Sequence, residues 1–372
     1  MQEQTAMMKQ IYSVGDLMES ISGSLKEAGE KLFLKIDIMS YRKVILTGCG
    51  DSRCAAMAAK YFFSEYTDLE AEVVDVIELS RFYKKEQMKK DTLVIVISNS
   101  GHVARISELL KRMRQWDRCV IGVTGNRESE LYQISNASFL YHLPSFVYAP
   151  GIRSYCVCLC ALFEMALQAG ERRGIVDKKR REVLDKEFQA VSMRIRGCLR
   201  LWEQETYEAA EKWRGAVSYE LIASGYHYPN AWFGYAKALE TTGKPVSAMN
   251  TEDWFHMNYF VRDVHRTASI IFINKDSPDH SRVRELILVA KEMERPVLCI
   301  TDDEIGEGLH RILTPHPTEK IFHLFIQYLP VSMLFSHLGD LMGEVYFRDG
   351  KGHFTACVDC ATLRNSEQII YK

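Results

Sequence analysis

The stretch Thr92-Leu93-Val94-Ile95-Val96-Ile97-Ser98-Asn99-Ser100-Gly101 decides the fold. Six β-branched and aliphatic residues run without a polar break, and four turn formers follow. A run without alternation suits a strand buried on both faces, as in a parallel sheet covered by helices. Working outward, residues 43–47 (KVILT) end at Gly48-Cys49-Gly50, and residues 119–124 (CVIGVT) end at Gly125-Asn126. Between these runs lie helical stretches. Residues 53–66 are rich in Ala and Met, and residues 103–113 set Ile106, Leu109, Leu110 and Met113 on one face. Strand and helix in alternation predict a doubly wound α/β layer structure.

The same order returns later in the chain. Residues 219–223 (YELIA) end at Ser224-Gly225, residues 269–273 (SIIFI) at Asn274-Lys275-Asp276-Ser277, and residues 296–301 (PVLCIT) at Asp302-Asp303. Ser98 follows Gly48 by 50 residues and Asn274 follows Ser224 by 50; the third strand trails the second by 26–27 in each half. Three agreements in order indicate an internal duplication offset by about 176 residues, and hence two similar α/β lobes. The division expected is a helical lead-in over 1–40, a first lobe over 41–170, inter-lobe helices over 171–216, a second lobe over 217–350 and a tail over 351–372. The basic run Lys178–Arg181 is flanked by Asp and Glu and reads as a solvated helix face.

Composition narrows the function classes. The chain has 372 residues, 47 Lys and Arg against 49 Asp and Glu, a net charge of −2 and 47% apolar residues. That is ordinary globular composition for about two domains. Near-neutral charge gives no reason to expect nucleic acid or an anionic membrane as partner. No uninterrupted apolar run reaches the ~18 residues of a membrane helix. The start, Met-Gln-Glu-Gln-Thr, lacks a basic region followed by an apolar segment, so no secretory signal is read there. Cys156, Cys158 and Cys160 alternate in an apolar segment, which fits reduced, buried thiols and a cytoplasmic location. Cys357-Val-Asp-Cys360 is a single C-x-x-C pair, a weak zinc signal on its own.

Ser98-Asn99-Ser100-Gly101-His102 joins a strand to a helix start, where backbone N–H groups and the helix dipole favour an anion. Ser98 and Ser100 add hydroxyls, and Gly101 admits close approach of a ligand to the backbone. Gly48-Cys49-Gly50-Asp51-Ser52 is a second such turn. It is neither G-x-G-x-x-G nor a G-K-[ST] loop, which disfavours dinucleotides and nucleoside triphosphates. Both turns lie at the carboxyl edge of the expected sheet, where open α/β folds bind ligands. Together they could hold one phosphorylated ligand.

These residues resemble the double sugar-isomerase (SIS) domain family over roughly residues 40–370, in particular the isomerase half of glucosamine-6-phosphate synthase and the related phosphosugar deglycases and deaminases. The family's C-G-[TD]-S and S-x-S-G-x-T loops, which bind the sugar phosphate, read here Cys49-Gly50-Asp51-Ser52 and Ser98-Asn99-Ser100-Gly101-His102-Val103. Val103 departs from the usual Thr. Pro150-Gly151-Ile152-Arg153-Ser154 resembles the segment lining the sugar site, with Arg153 an unusual residue that could meet an anionic substrate group. Lys237-Ala-Leu-Glu240, followed 16 residues after Glu240 by His256, has the spacing of the synthase's K-x-x-E and E-x-x-H. The resemblance implies that Glu240 moves the proton between C1 and C2, that His256 opens the ring from a neighbouring subunit, and that Lys237 is a nearby cation.

The chemistry stands without the resemblance: one carboxylate can reach two adjacent carbons, an imidazole can serve the ring oxygen, and a cation can stabilise an enediolate. Tyr226-His227-Tyr228-Pro229 replaces the first phosphate turn in the second half and is too bulky for a phosphate. No glutaminase segment precedes the helical lead-in, so glutamine-dependent amidotransfer is not expected of this chain alone. If Arg364-Asn365 matches the family's R-N, Gln368 stands where the synthase has its Schiff-base Lys, and Gln368 could contact substrate instead. The expectation is a phosphosugar isomerase, deglycase or deaminase, a homodimer or larger assembly, with no metal and no organic cofactor. The alternative is a non-catalytic sugar-phosphate-binding regulator, since fold alone does not settle function.

Overall fold

The computed structural model describes residues 4–305, 309–350, 363–364 and 366–370. Two helices open the chain, α1 (Ala6–Tyr12) and α2 (Val14–Phe33). The first sheet carries β1 (Lys43–Gly48), β2 (Glu70–Val73), β3 (Thr92–Ile97), β4 (Val120–Thr124) and β5 (Ala137–Leu140). Helices α3 (Asp51–Tyr66), α4 (Ala104–Gln115), α5 (Glu130–Ile134) and α6 (Ile152–Arg172) alternate with them or follow. A single 36-residue helix, α7 (Lys178–Trp213), leads on. The second sheet carries β6 (Ser218–Ile222), β7 (Val246–Met249), β8 (Thr267–Ile273), β9 (Val297–Thr301) and β10 (His310–Leu313). Its helices are α8 (Tyr228–Thr242), α9 (Thr251–His256), α10 (His280–Glu292), α11 (His323–Ile326) and α12 (Tyr328–Leu341).

Every strand pairing is parallel. The orders are β2-β1-β3-β4-β5 and β7-β6-β8-β9-β10, the same topology twice. In each sheet the chain leaves its first strand for one side and returns on the other, which creates a switch point between β1 and β3 and between β6 and β8. The six apolar runs in the sequence are the three central strands of each lobe. The four strands that the sequence did not display, β2, β5, β7 and β10, are all edge strands of four residues. Each keeps some exposed or half-buried positions, so its apolar pattern is short and broken.

The first lobe's core joins Ile45, Val94 and Val96 to Ile106, Leu109, Leu110 and Met113 of α4. The second repeats the plan with Ile271, Ile273 and Cys299 against Val283, Leu286, Ile287 and Ala290. Burying one such side chain stabilises by about 1.5–3 kcal/mol. Residues 152–172 and 320–341 are long and apolar enough to cross a membrane by length and composition, yet 94% and 100% of their apolar windows are buried within the protein. Core helices pass the same test.

The compact units interleave along the chain. One gathers Asp16–Ser145, Arg153–Lys186 and the described part of the C-terminal segment; the other gathers the chain up to Gly15, Phe146–Ile152 and Glu187–Gly350. The consecutive blocks expected from sequence thus trade their ends: α1 belongs with the second sheet, most of α2 with the first, and α7 changes unit between Lys186 and Glu187.

Candidate functional site

In the first lobe, β1 and β3 pair with Gly48 opposite Ile97, so the turns after them emerge side by side. Gly50 precedes α3 at φ +56°, with open space where a side chain would stand. Gly101 has φ +66°, and a Cβ there would lie 2.3 Å from Ser129 Oγ. Positive φ and tight packing together require glycine at 101. The Gly101 N–H donates to Ser98 Oγ at 3.0 Å, closing the loop on itself. Neither α3 nor α4 has a side-chain cap at its start.

Ser52, Asn99 and Ser154 line one small cavity with Asp51, Tyr141, Tyr155 and Cys158. Its volume is about 30 Å³, room for about one water. Asn99 is fixed there: Tyr141 Oη donates to its Oδ1 at 3.0 Å, and its carbonyl accepts from Thr124 Oγ1 at 3.2 Å. Asn126 Nδ2 donates to the Ser100 carbonyl at 3.1 Å and meets His102 Nε2 at 3.2 Å. Val103, the departure from Thr, packs against the first core. Gly50, Ser98, Ser100 and Gly101 therefore build the two turns, and Ser52, Asn99 and Ser154 face one space. Tyr141, Tyr155 and Cys158 were missed, because Tyr141 follows an edge strand that sequence did not display and the other two read as core. Burial and Asp75 push the Cys49 thiol up to about 11 despite Arg105, so it stays protonated and is no nucleophile. A larger cavity of about 800 Å³ runs along α2 and β5. It includes Gly125 and Tyr141 but none of Ser98–Gly101.

Two candidates sit elsewhere in this unit. Arg153 is only 7% exposed, in the first turn of α6, and burial holds its pKa below the ordinary guanidinium value. Gln368 Oε1 accepts from Lys111 Nζ at 2.7 Å. Lys111 is seven residues into α4, about 10 Å along the helix from Ala104. The C-terminal segment runs along that helix: Ala104 N–H donates to the Leu363 carbonyl at 2.7 Å, Arg105 to Ser366 Oγ at 2.7 Å, and Ile369 N–H to Glu108 Oε2 at 2.7 Å. Cys357 and Cys360 lie outside the described residues.

In the second lobe, Pro229 opens α8 and Gly243, at φ +65°, ends it. Lys237 and Glu240 lie in its last two turns. Lys237 is fully buried, over the Phe233 ring, and its Nζ donates to Glu240 Oε2 at 2.5 Å. Glu240 keeps 26% of its side chain exposed. His256 ends α9 with 69% of its side chain exposed and meets Glu252 Oε1 at 3.3 Å. Arg282 grips the same Glu252 through Nε at 2.8 Å and Nη2 at 3.1 Å, which holds that carboxyl below its usual range. Lys237 and Glu240 are thus brought together, whereas His256 pairs with Glu252. His227, the other histidine of interest, is 1% exposed with Nδ1 2.9 Å from Gln327 Oε1; burial and the neighbouring His323 push it down to about 3.

A parallel α/β lobe with two glycine-containing turns side by side at its switch point defines the class. Residues 37–143 match the SIS domain family, and the first lobe is a SIS domain. The whole fold is that of two tandem SIS lobes. The chain is 23% identical over 309 residues to the glutamine–fructose-6-phosphate aminotransferase [isomerizing] of Thermotoga maritima, covering 81% of this chain and 49% of that protein. It spans about half the length of the curated relatives it matches. The C-terminal domain of glucosamine-fructose-6-phosphate aminotransferase from Francisella tularensis superposes with a TM-score of 0.81 at 14% identity, over 93% of this chain and 98% of that one. Glucosamine-6-phosphate deaminase from Thermotoga maritima superposes at 0.68 with 17% identity, over 94% and 98%.

Proposed function

We propose that the chain is an enzyme acting at C1 and C2 of a 6-phosphorylated sugar or amino sugar, by isomerase, deglycase or deaminase chemistry. The observation that carries this reading is the convergence of Ser52, Asn99 and Ser154 on one cavity at the β1/β3 switch point. The phosphoryl group sits at the mouth of that cavity, against the two helix starts. Glu240 takes a proton from one of the two carbons and returns it to the other. Lys237 donates to that carboxylate at 2.5 Å and is the cation nearest the charge that develops on the enediolate. His256 moves the proton between ring oxygen and anomeric hydroxyl. Its exposure suits service to a second copy of the chain. If Arg364-Asn365 matches the family's R-N, Gln368 stands at the Schiff-base lysine position with no amine to form an imine, which favours a substrate that already carries its nitrogen, and so a deglycase or deaminase.

Glu240→Gln is expected to lower turnover by on the order of 10²–10⁴-fold while the phosphosugar still raises the melting temperature. Unchanged turnover in that variant removes the mechanism. Asn99→Ala is expected to weaken phosphorylated ligands and leave unphosphorylated controls unmoved. Equal weakening of both would sink the cradle.

A further inference from the structure

The duplicated fold places a second crevice at the carboxyl edge of the second sheet, at the β6/β8 switch point. Its chemistry is reversed. Where the first lobe has Ser98, Ser100 and Gly125, this edge has Asn274, Asp276 and Asp302. One cavity there is lined by Tyr226, Asn274, Asp276, Asp302, His316 and His323, among others. Two carboxylates repel a phosphate. The site asks for a cation.

Three donors converge. Asp302 Oδ2 lies 2.5 Å from His316 Nδ1 and 3.3 Å from His323 Nε2, and the ligand atoms of the three residues all lie within 4.8 Å of one another. Tetrahedral metal bonds of about 2.0–2.1 Å set donors roughly 3.3 Å apart, so the cluster closes around an ion with small side-chain shifts. The side chain of Asp302 is fully buried and that of His323 is 2% exposed, whereas His316 is half exposed on a loop between Pro315 and Pro317. Two fixed donors and one reachable from solvent make an entry path. Asp276 Oδ2 stands 3.7 Å from Nε2 of His316, the ring nitrogen away from Asp302, as outer carboxylates do behind metal-bound imidazoles.

A second observation points to a missing ligand. Asn274 is 1% exposed and lines the cavity, and its Nδ2 has no hydrogen-bond partner among the described residues. Its Oδ1 is already taken by Gln327 Nε2 at 2.8 Å. A buried amide donor left open costs about 1–3 kcal/mol, and a metal-bound water oxygen would satisfy it.

From this geometry we infer that the second lobe holds a divalent transition-metal site, with Asp302, His316 and His323 as ligands and Asp276 and Asn274 behind them. Two imidazoles and one carboxylate select a borderline ion such as zinc over magnesium or calcium, which require oxygen donors. The site shares no residue with the phosphate cradle or with the Lys237–Glu240 pair, and it does not depend on the reaction proposed above.

The test is titration of chelator-treated full-length protein with Zn²⁺, Co²⁺ and Mg²⁺. All arms carry Cys357→Ser and Cys360→Ser, so that the tail pair cannot be the binder. The expected result is one zinc per chain, no magnesium, and cobalt d–d bands without thiolate charge transfer. His316→Ala, at a half-exposed position where folding is undisturbed, should weaken zinc by at least tenfold, and Asp276→Asn by about 10–100-fold or less, as for outer partners. Circular dichroism confirms the fold of each variant. Absence of stoichiometric zinc, a thiolate band, or zinc binding unchanged by His316→Ala would each overturn the proposal and leave Asp302 as the centre of a hydrogen-bonded histidine pair.

Discussion

At the scale of single residues, Glu220 is the charge on which the second lobe depends. It lies inside β6 with 1% exposure. Trp254 Nε1 donates to it at 3.0 Å, Ser269 Oγ at 2.6 Å and Asn258 Nδ2 at 2.8 Å, and Arg295 forms a buried ion pair with it. Arg295 also donates to the Asn258 carbonyl at 2.6 Å and lies 5.0 Å above the Trp254 ring. Trp254 and Asn258 flank His256, so this network fixes the short segment that presents the candidate acid/base. Glu220→Ala strands a buried guanidinium and is expected to cost about 3–5 kcal/mol in chemical denaturation. A loss under about 1 kcal/mol would show that water or a neighbour replaces the carboxylate. The sequence displayed Glu220 as one charge in an apolar run but not its partner, which lies 75 residues on.

At the scale of elements, central strands and the α4 face were legible because burial on both sides writes an unbroken apolar run. Edge strands write no such run. The two turns after β1 and β3 were legible because their glycines and serines are local. The lining residues Tyr141 and Tyr155 were not, nor was the Asp302, His316 and His323 group, since only the sheet edge gathers them. The docking of the C-terminal segment on α4 belongs to the same class. It centres on Glu108, whose side chain is fully buried; burial alone would raise its pKa, but Arg81, the Ile369 N–H and Arg105 hold it below the ordinary carboxylate value. A carboxylate with a lowered folded pKa contributes its full stability above its unfolded pKa, about 4.3, and loses it as pH falls through the lower folded value. Amide exchange of Ile369 should therefore be protected at neutral pH and lose protection only below about pH 4. Glu108→Gln should abolish that protection at neutral pH without unfolding the first sheet. Protection that ignores both pH and the substitution would mean that the segment is held by Arg105 and Lys111 alone.

At the scale of the whole molecule, the same topology supplies two switch points, and their side chains differ in chemistry. The first kept small neutral donors, which the proposed function assigns to an anion. The second filled its first turn with Tyr226 and His227 and turned acidic. The exposed His256 then bears on assembly. If it serves a neighbouring copy, the reacting carboxylate and the ring-opening imidazole belong to different chains, and two crippled proteins can rescue one another. Glu240→Gln and His256→Asn homodimers are each inactive in this scheme. Random exchange makes half the dimers mixed, and each mixed dimer rebuilds one of its two sites, so activity should return to about one quarter of wild type. Exchange can be followed independently by native mass spectrometry with one protein isotopically labelled. Mixed dimers that stay inactive would place Glu240 and His256 of one reaction in the same chain. Activity in His256→Asn alone would remove the imidazole from the mechanism and leave Glu240 with Lys237 as the reacting pair.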